Sequence, residues 1–333
     1  MKTPSHMSNV FRDKRVLITG GLGFIGSNLA RQLVHMGAQV TIVDSLIPEY
    51  GGNLFNIHGI EDQVQLNISD VRDPHGLSYL VKDQQYLFNL AGQTSHLDSM
   101  REPFVDLEIN SRAQLSILET CRRINPEIKI IFASTRQVYG KPHYLPVDEK
   151  HPLQPVDVNG VNKLSGEWYH LIYNNVHGIR ACVLRLTNTI GPRMRIKDAR
   201  QTFLGIWIRL LLEGKAFEVW GGEQLRDFTY IDDCVDALLR AAQNNAADGR
   251  VMNLGGTQIV SLQELADLLI RQNGGGSYKT REYPPERKKI DIGDYYSDFK
   301  LAGTLLAWKP QISLDQALRK TIDYYKKNLK AYL

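Results

Sequence analysis

The stretch ITGGLGFIGSNL, residues 18–29, decides the fold of this chain. It continues a short apolar run that begins at Arg15, and it leads into an amphipathic segment over 24–36. Glycines spaced G-x-x-G-x-x-G between a predicted strand and a predicted helix are typical of a turn that receives a pyrophosphate group. The sequence therefore predicts a β-turn-α unit that binds a dinucleotide.

Each glycine of this turn has its own physical reason. Gly20 permits the tight turn, and Gly23 lets the backbone approach a pyrophosphate at the helix N-terminus. Gly26 allows the helix to pack closely on the strand. The two residues between these last glycines, Phe24 and Ile25, begin the helix and are predicted cofactor contacts as well.

The second predicted strand ends in Asp44, about 20 residues further on, where a carboxylate accepts hydrogen bonds from ribose hydroxyls. A carboxylate would also repel a 2′-phosphate, so the sequence predicts NAD rather than NADP. The remaining predicted cofactor contacts follow the ends of the third and fourth strands: Asp70, Val71, Leu90, Ala91 and Gln93.

Strand and helix patterns alternate through the first half of the chain. Apolar runs with little polar alternation are typical of parallel strands that are covered on both faces. This order predicts an α/β fold, a doubly wound parallel Rossmann sheet with right-handed crossovers. After residue 190 helical patterns dominate, which predicts a smaller C-terminal α/β lobe for the substrate. We predict a NAD-binding domain at 11–190, with returning segments around 229–256, and the lobe at 191–330.

The composition of the chain argues against several classes of binding partner. Lys and Arg number 40 against 36 for Asp and Glu, a net charge of +4, so a concentrated nucleic-acid-binding face is not expected. No apolar run reaches the roughly 18 residues that a membrane span needs. The three cysteines lack a zinc-site spacing and are typical of buried thiols in a reducing compartment. These features predict a cytoplasmic protein without a metal and without nucleic-acid or membrane partners.

Further motifs resemble the extended short-chain dehydrogenase/reductase family, in particular its nucleotide-sugar epimerases and dehydratases. The resemblance covers about 11–328 and implies a tightly held NAD with a nucleoside-diphosphate sugar in the cleft between the lobes. Besides 18–29, the motifs that carry it are NLAGQ (89–93), FASTRQVYG (132–140), NGVNKLSGE (159–167), RLTNTIGP (185–192), GGEQLRDFTYIDD (221–233), and NLGG with SLQELADLL (253–256, 261–269).

Catalysis in that family uses a Ser or Thr, a Tyr and a Lys together. The resemblance implies that Thr135 supplies the hydroxyl, while Lys163 binds the nicotinamide ribose and lowers the pKa of the Tyr. Here Asn159 stands where the Tyr is expected, four residues before Lys163. An amide cannot serve as a general base.

Three explanations of Asn159 remain open at this point. Another group handles the proton, such as Tyr139, His96 or a water held by Asn159 and Thr135. Alternatively, the protein binds NAD and a sugar nucleotide without redox chemistry. Finally, Asn159 is an engineered replacement of the Tyr.

The residues after Thr135 limit which of the family's reactions this chain is predicted to catalyse. The 4,6-dehydratases of the family carry an acidic residue there, and its decarboxylases carry a Glu, whereas this chain has Arg136 and Gln137. Neither can act as a general acid or base at neutral pH, which argues against 4,6-dehydration. Arg136 is instead predicted to pair with a substrate carboxylate or with hydroxyls.

The resemblance also implies the substrate contacts. Asn188 and Arg226 match residues that contact the diphosphate, and a planar guanidinium suits phosphate oxygens. Arg287 or Lys288 provides a second basic contact, and Tyr295 lies near the sugar. Thr94 and Ser95 follow the fourth strand and are predicted to face the sugar.

Two segments, 104–124 and 161–176, match the helices of the family's dimer interface. Their apolar stripes are Leu115, Ile117 and Leu118, and Trp168, Leu171 and Ile172, and the same stripes are equally compatible with core positions that face the sheet. The sequence therefore predicts a homodimeric NAD-dependent epimerase of nucleoside-diphosphate sugars that works through a transient keto sugar. The alternatives are a non-catalytic binding protein and a nucleoside-diphosphate-sugar dehydrogenase.

Overall fold

The computed structural model describes residues 10–333, apart from the side chains of Pro48, Glu286 and Arg287. The strands in this part of the chain are β1 (Arg15–Thr19), β2 (Gln39–Asp44), β3 (Val64–Ile68), β4 (Tyr86–Asn89), β5 (Lys129–Thr135), β6 (Ala181–Leu186), β7 (Asn188–Ile190), β8 (Phe217–Trp220), β9 (Leu225–Tyr230), β10 (Val251–Asn253), β11 (Ile259–Ser261) and β12 (Tyr278–Arg281).

The helices connect and cover these strands. In chain order they are α1 (Phe24–His35), α2 (Pro74–Leu80), α3 (His96–Arg101), α4 (Pro103–Leu107), α5 (Ala113–Ile124), α6 (Val158–His177), α7 (Phe203–Leu212), α8 (Ile231–Gln243), α9 (Leu262–Asn273), α10 (Pro285–Lys288), α11 (Lys300–Leu306) and α12 (Leu314–Asn328). A π-helical turn, Glu108–Arg112, joins α4 to α5.

A seven-stranded parallel sheet in the order β10-β6-β5-β4-β1-β2-β3 forms the centre of the fold. Successive side chains of a strand point to opposite faces, and both faces of β1 are completely buried. Leu17 packs in one apolar cluster with Ile117 of α5, while Ile18 packs in another with Leu29 of α1. Helices therefore cover both faces, which confirms the doubly wound sheet.

The packing selects between the two interpretations of the apolar stripe on α5. Ile117 and Leu118 of α5 are completely buried against the sheet, so they do not belong to an outer surface. Ile117 and Leu118 are buried because they lie on the face of α5 that is turned toward the strands. Trp168 and Ile172 of α6 are exposed.

The C-terminal part contributes two small sheets, β11-β9-β7 and β12-β8. β10 also belongs to the C-terminal part in sequence, but it pairs with β6 in the large sheet, with Val251 opposite Val183. One apolar cluster continues from Leu29 of α1 to Trp207 of α7 and Leu265 of α9. The two parts therefore share a core.

The sheet order places the functional cleft. β1 lies between β2 and β4, so the chain connections run in opposite directions from this point. Ligands of open α/β sheets bind in the crevice that such a reversal leaves outside the carboxyl ends of the strands. Within residues 10–333, no helix is both long enough and apolar enough to cross a membrane.

Candidate functional site

A cavity of about 870 Å³ opens at the carboxyl ends of β1, β2, β4 and β5 and continues to the C-terminal part of the chain. This volume lies in the range of sites that bind cofactors and drug-sized molecules. Its lining includes the glycine-rich turn, the segment that follows β5, and Arg226. The cavity therefore connects most of the residues that the sequence singled out.

The glycine-rich turn forms one end of the cavity. Gly20 has φ of +71°, a conformation that favours glycine. A Cβ atom on Gly26 would lie 2.2 Å from the carbonyl oxygen of Gly20, so a side chain is excluded there. α1 begins after Gly23 without a side-chain cap, which leaves N–H groups of its first turn available at the positive end of the helix. This cradle fits an anionic pyrophosphate.

Asp44 lines the cavity at the end of β2. Its Oδ2 accepts from the backbone N–H of Leu22 at 3.0 Å and its Oδ1 from that of Leu46 at 2.9 Å, which fixes the carboxylate. Burial raises the pKa of Asp44, against the effect of these two hydrogen bonds. The position suits ribose hydroxyls and disfavours a 2′-phosphate, so the cradle and Asp44 together fit NAD.

Most of the other predicted cofactor contacts also line the cavity: Phe24, Ile25, Asp70, Val71, Leu90 and Ala91. Asp70 is held at the rim by Arg72, whose Nη2 lies 2.6 Å from its Oδ2. Gln93 differs, because it is buried outside the lining and its backbone carbonyl accepts from the side chains of Asn110 and Asn159. Gln93 therefore holds the side chains of Asn110 and Asn159 in place and is not itself part of the cavity wall.

Thr135 and Lys163 lie in the middle of the cavity. The Oγ1 atom of Thr135 accepts from the N–H of Gln137 at 3.2 Å, which leaves its hydroxyl hydrogen available to a ligand. The Nζ atom of Lys163 donates to the carbonyl of Ala133 at 3.3 Å. Burial lowers the pKa of Lys163 to about 8, although the charges of Asp106 and Glu167 act in the opposite direction.

Asn159 also lines the cavity, but its amide group is engaged. Nδ2 donates to the carbonyl of Gln93 at 2.8 Å and to Asp106 Oδ2 at 3.0 Å. The other oxygen of Asp106 accepts from Asn162 at 2.8 Å. Asn159 therefore ties α6 to α4 and to the segment after β4, and only its oxygen remains for a ligand.

Asp106 and Asp157 are residues that the sequence reasoning missed. Both carboxylates are buried, and Asp157 Oδ2 lies 2.9 Å from Nδ1 of His96, which lines the cavity. The sequence offered one signal for each residue. Asp106 is an acidic residue at a buried position of a predicted helix, and Asp157 stands just before the segment that contains Asn159. Neither signal identifies the partner, because the partners are distant in sequence.

Tyr139 does not reach the cavity. It is completely buried, its hydroxyl donates to Asn253 Oδ1 at 2.7 Å, and it accepts from Arg185 Nη1 at 2.8 Å. Burial raises the pKa of Tyr139 to about 12. Tyr139 is therefore excluded as the group that takes up a substrate proton.

Two arginines converge at the far end of the cavity. The Arg136 guanidinium lies 5.5 Å from the centre of the Tyr295 ring, and its buried Nε atom has no hydrogen-bond partner. Burial, followed by the charge of Arg226, lowers the pKa of Arg136 to about 10, so the side chain is still a cation at neutral pH. Arg226 is buried and reaches Asp291 Oδ1 at 3.3 Å.

The remaining predicted substrate residues separate into two groups. Thr94, Ser95 and Asn188 line the cavity, and the Nδ2 atom of Asn188 is buried without a partner. Tyr295 is buried beneath Arg136 and Lys288 is exposed, and neither of them is part of the lining. These two positions are corrections to the predicted contact set.

The side chain of Arg287 lies outside the described residues. Several residues near the far end were not predicted although they line the cavity: Glu218, Trp220, Tyr283, Ile290 and Asp291. Across the described part of the chain, no cluster of three or more His, Cys, Asp and Glu side chains could hold a metal ion.

Comparisons with known proteins agree with this geometry. Residues 16–255 match the model of the NAD dependent epimerase/dehydratase family. A protein of Methanocaldococcus jannaschii that is provisionally named UDP-glucose 4-epimerase is 33% identical over 315 residues, which cover 94% of this chain and 99% of that protein. UDP-glucuronic acid decarboxylase 1 of Xenopus tropicalis is 32% identical over 327 residues, which cover 95% of this chain and 73% of that protein.

Solved structures show the same likeness in three dimensions. The UDP-glucuronic acid 4-epimerase of Bacillus cereus, in complex with UDP-glucuronic acid and NAD, has a TM-score of 0.84 to this chain at 29% identity. The likeness covers 94% of this chain and 99% of that structure.

Proposed function

Because this chain belongs to the NAD-dependent epimerase/dehydratase family, we propose that it epimerises a nucleoside-diphosphate sugar through a transient keto sugar. NAD is the cofactor of the family. The observation that carries the proposal is the single cavity that connects the glycine-rich turn, the Thr135 and Lys163 pair, and Arg226. Its relatives include enzymes named for UDP-glucose and UDP-glucuronic acid.

When bound, NAD supplies a hydride acceptor that becomes the donor in the return step. The first turn of α1 and Gly23 bind its pyrophosphate, and Asp44 accepts from the adenosine ribose. Lys163 binds the nicotinamide ribose as a cation. Thr135 donates to the oxygen that becomes the carbonyl and stabilises the charge that develops there.

The substrate diphosphate binds at the far end of the cavity. Arg226 and Asn188 offer the donors, and Arg136 adds a second guanidinium for the sugar. Arg226 is buried and Arg136 is partly buried with its Nε atom enclosed, so their hydrogen bonds to an anion form in an environment of lower dielectric constant than water and are stronger there. Gln137 does not titrate and its amide donates to Asp157 Oδ2 at 3.0 Å, so the side chain at position 137 supplies neither an acid nor a base for 4,6-dehydration.

A direct assay tests the proposal. The purified protein is incubated with NAD and, in turn, with UDP-, GDP-, CDP- and dTDP-sugars, and the sugars are separated by chromatography. We expect an epimer of one substrate and a transient NADH absorbance without net accumulation. Net NADH accumulation with free NAD would favour a dehydrogenase, and the absence of both product and transient would reject redox epimerisation.

Asn159 favours a second candidate, a protein that binds NAD and a sugar nucleotide without turnover. Asn159→Tyr distinguishes the two. For the epimerase we expect no gain in turnover, since the substitution removes the amide that binds Asp106 and Gln93. Saturable binding of UDP by calorimetry with no turnover, before and after Asn159→Tyr, would support the second candidate. An inactive wild type that becomes active as Asn159→Tyr would point to a disabled epimerase instead.

We further propose that the protein is a homodimer through the helices near 104–124 and 161–176. Large apolar side chains on these helices are exposed, with Phe104 78%, Trp168 53% and Val176 68% accessible. Exposed apolar side chains that share one region indicate an interaction surface. A second copy of the same helices would bury them.

Trp168→Glu is expected to convert the dimer to a monomer, because a carboxylate in an apolar interface loses its hydration without a partner. Light scattering after gel filtration measures the mass. Ile259→Glu is the matched control, since Ile259 is 44% accessible on β11 in the C-terminal part of the chain. A wild-type monomer, or a dimeric Trp168→Glu, would contradict the proposed interface.

A further inference from the structure

A histidine and a buried aspartate meet at the edge of the cavity, beside the position where the family has its Tyr. His96 begins α3 and lines the cavity. Its Nδ1 atom lies 2.9 Å from Oδ2 of Asp157, the residue that caps α6 two positions before Asn159. His96 is one of the groups that the sequence offers for the substrate proton, and Tyr139, another of them, is excluded by its burial.

Exposure of the His96 ring shows which nitrogen a ligand can reach. Nδ1 is buried, whereas 38% of the side chain is accessible. The accessible fraction therefore belongs to ring atoms other than Nδ1, and Nε2 is the other ring nitrogen. Nδ1 lies within 2.9 Å of the carboxylate oxygen, but the pair does not have the alignment of a hydrogen bond in this structure. Catalytic hydrogen bonds often align fully only when substrate is bound.

Asp157 is held firmly enough to orient a histidine. Its side chain is completely buried, Oδ1 accepts from Gly160 N at 2.6 Å, and Oδ2 accepts from Gln137 Nε2 at 3.0 Å. Burial raises the pKa of Asp157, but its contacts with His96, Gly160 and Gln137 lower it further, so the group is a carboxylate at neutral pH. A carboxylate on Nδ1–H leaves Nε2 as an acceptor.

We propose that Nε2 of His96, oriented by Asp157, accepts the proton of the reacting sugar hydroxyl in place of the missing Tyr. This inference rests on the proposed function. The hydroxyl O–H bond breaks and its proton forms a bond to Nε2, while the hydrogen of the same carbon leaves as hydride to the bound nicotinamide. The C–O bond becomes a carbonyl, and the reverse step returns the proton from Nε2 and the hydride to the opposite face of the carbon.

Other charged groups surround this part of the cavity. Asp98, on the same helix as His96, lies 3.8 Å from Arg200, which also lines the cavity. Lys163 of α6 lines the same cavity, and Asp106 of α4 accepts a hydrogen bond from Asn159. Asp157 is the carboxylate in direct contact with the His96 ring.

The geometry favours His96 over the other groups near Asn159. The amide hydrogens of Asn159 are bonded and an amide does not titrate. Thr135 is a hydrogen-bond donor to the sugar oxygen and has no base next to it among its described contacts. Lys163 is needed as a cation by the proposed function, and a cation cannot accept a proton.

The first test compares His96→Gln with His75→Gln, an exposed histidine of α2 that serves as the matched control. Pre-steady-state absorbance of NADH follows the protein after mixing with the UDP-sugar that the wild type converts. We expect His96→Gln to lower this rate about 10²-fold and His75→Gln to leave it unchanged. Calorimetric titration with UDP checks that binding is retained.

The second test examines the orientation of the ring and does not depend on turnover. Asp157→Asn keeps an acceptor for Gly160 N, so the start of α6 is preserved. Nuclear magnetic resonance of isotope-labelled histidine nitrogens is expected to show the Nδ1–H tautomer of His96 in the wild type at neutral pH. We expect Asp157→Asn to lose this preference and to slow the reaction, with its affinity for UDP unchanged.

A wild-type rate in His96→Gln would overturn the role of His96 while leaving epimerisation intact. A wild type that converts no UDP-sugar would overturn the epimerase and the His96 role together.

Discussion

Lys163→Met is expected to lower turnover about 10³-fold, the upper range for loss of one preorganised electrostatic contact. The methionine keeps most of the apolar stem against the Phe132 ring, which lies 5.1 Å from Nζ in the wild type. What disappears is the buried cation that binds the nicotinamide ribose. Because the pKa of Lys163 is lowered to about 8, we also expect the wild-type rate to fall as the pH rises through this value. Lys163→Met should lack that alkaline limb.

Lys82→Met is the matched control, because Lys82 is exposed at the end of α2. Steady-state rates, the NAD content of the purified protein and the affinity for UDP are measured for both variants. A fall in rate with unchanged affinity for UDP supports the assigned role. Wild-type turnover in Lys163→Met, or an alkaline limb that persists in it, would refute the assignment.

Arg185→Met is expected to reduce the free energy of unfolding by about 3–5 kcal/mol. Arg185 Nη2 lies 2.6 Å from Glu167 Oε2, with 4% and 2% of the two side chains accessible. Removal of the guanidinium leaves a carboxylate without its counter-charge in the core, where its desolvation is not compensated. Tyr139 also loses a hydrogen-bond donor. Urea denaturation followed by circular dichroism measures the change.

Two controls separate the buried charge from the loss of packing. Arg271→Met removes the partner of Asp315 at the surface, where an ion pair contributes about 0–1 kcal/mol. The double variant Arg185→Met with Glu167→Leu should recover much of the loss, since apolar replacement of a whole buried pair is often tolerated. If the double variant is less stable than Arg185→Met, the buried carboxylate is not the cause.

Local sequence patterns predicted the cofactor end of the site well. The turn at Gly20, Gly23 and Gly26 and the carboxylate of Asp44 are separated by one helix and one strand. Their geometry follows from the strand and helix boundaries, which the hydrophobic periodicity indicates. The seven-stranded sheet was predictable for the same reason.

The interior of the site depends on long-range packing, and the sequence did not reveal it. Asp106 contacts Asn159 and Asp157 contacts His96 because α3, α4 and α6 come together in the folded chain. The family resemblance implied that Tyr295 lies near the sugar, but the side chain packs under Arg136. Such directions are decided by tertiary packing, which a pattern along one strand or helix does not contain.

β10 follows the other six strands of the large sheet in the sequence, so the sheet is completed late in synthesis of the chain. Until Val251–Asn253 emerges from the ribosome, β6 has an open edge whose N–H and C=O groups are unpaired. Its residues Cys182 and Val183 are apolar and completely buried in the finished protein. A nascent chain that is arrested before Val251 is therefore expected to expose an aggregation-prone strand edge.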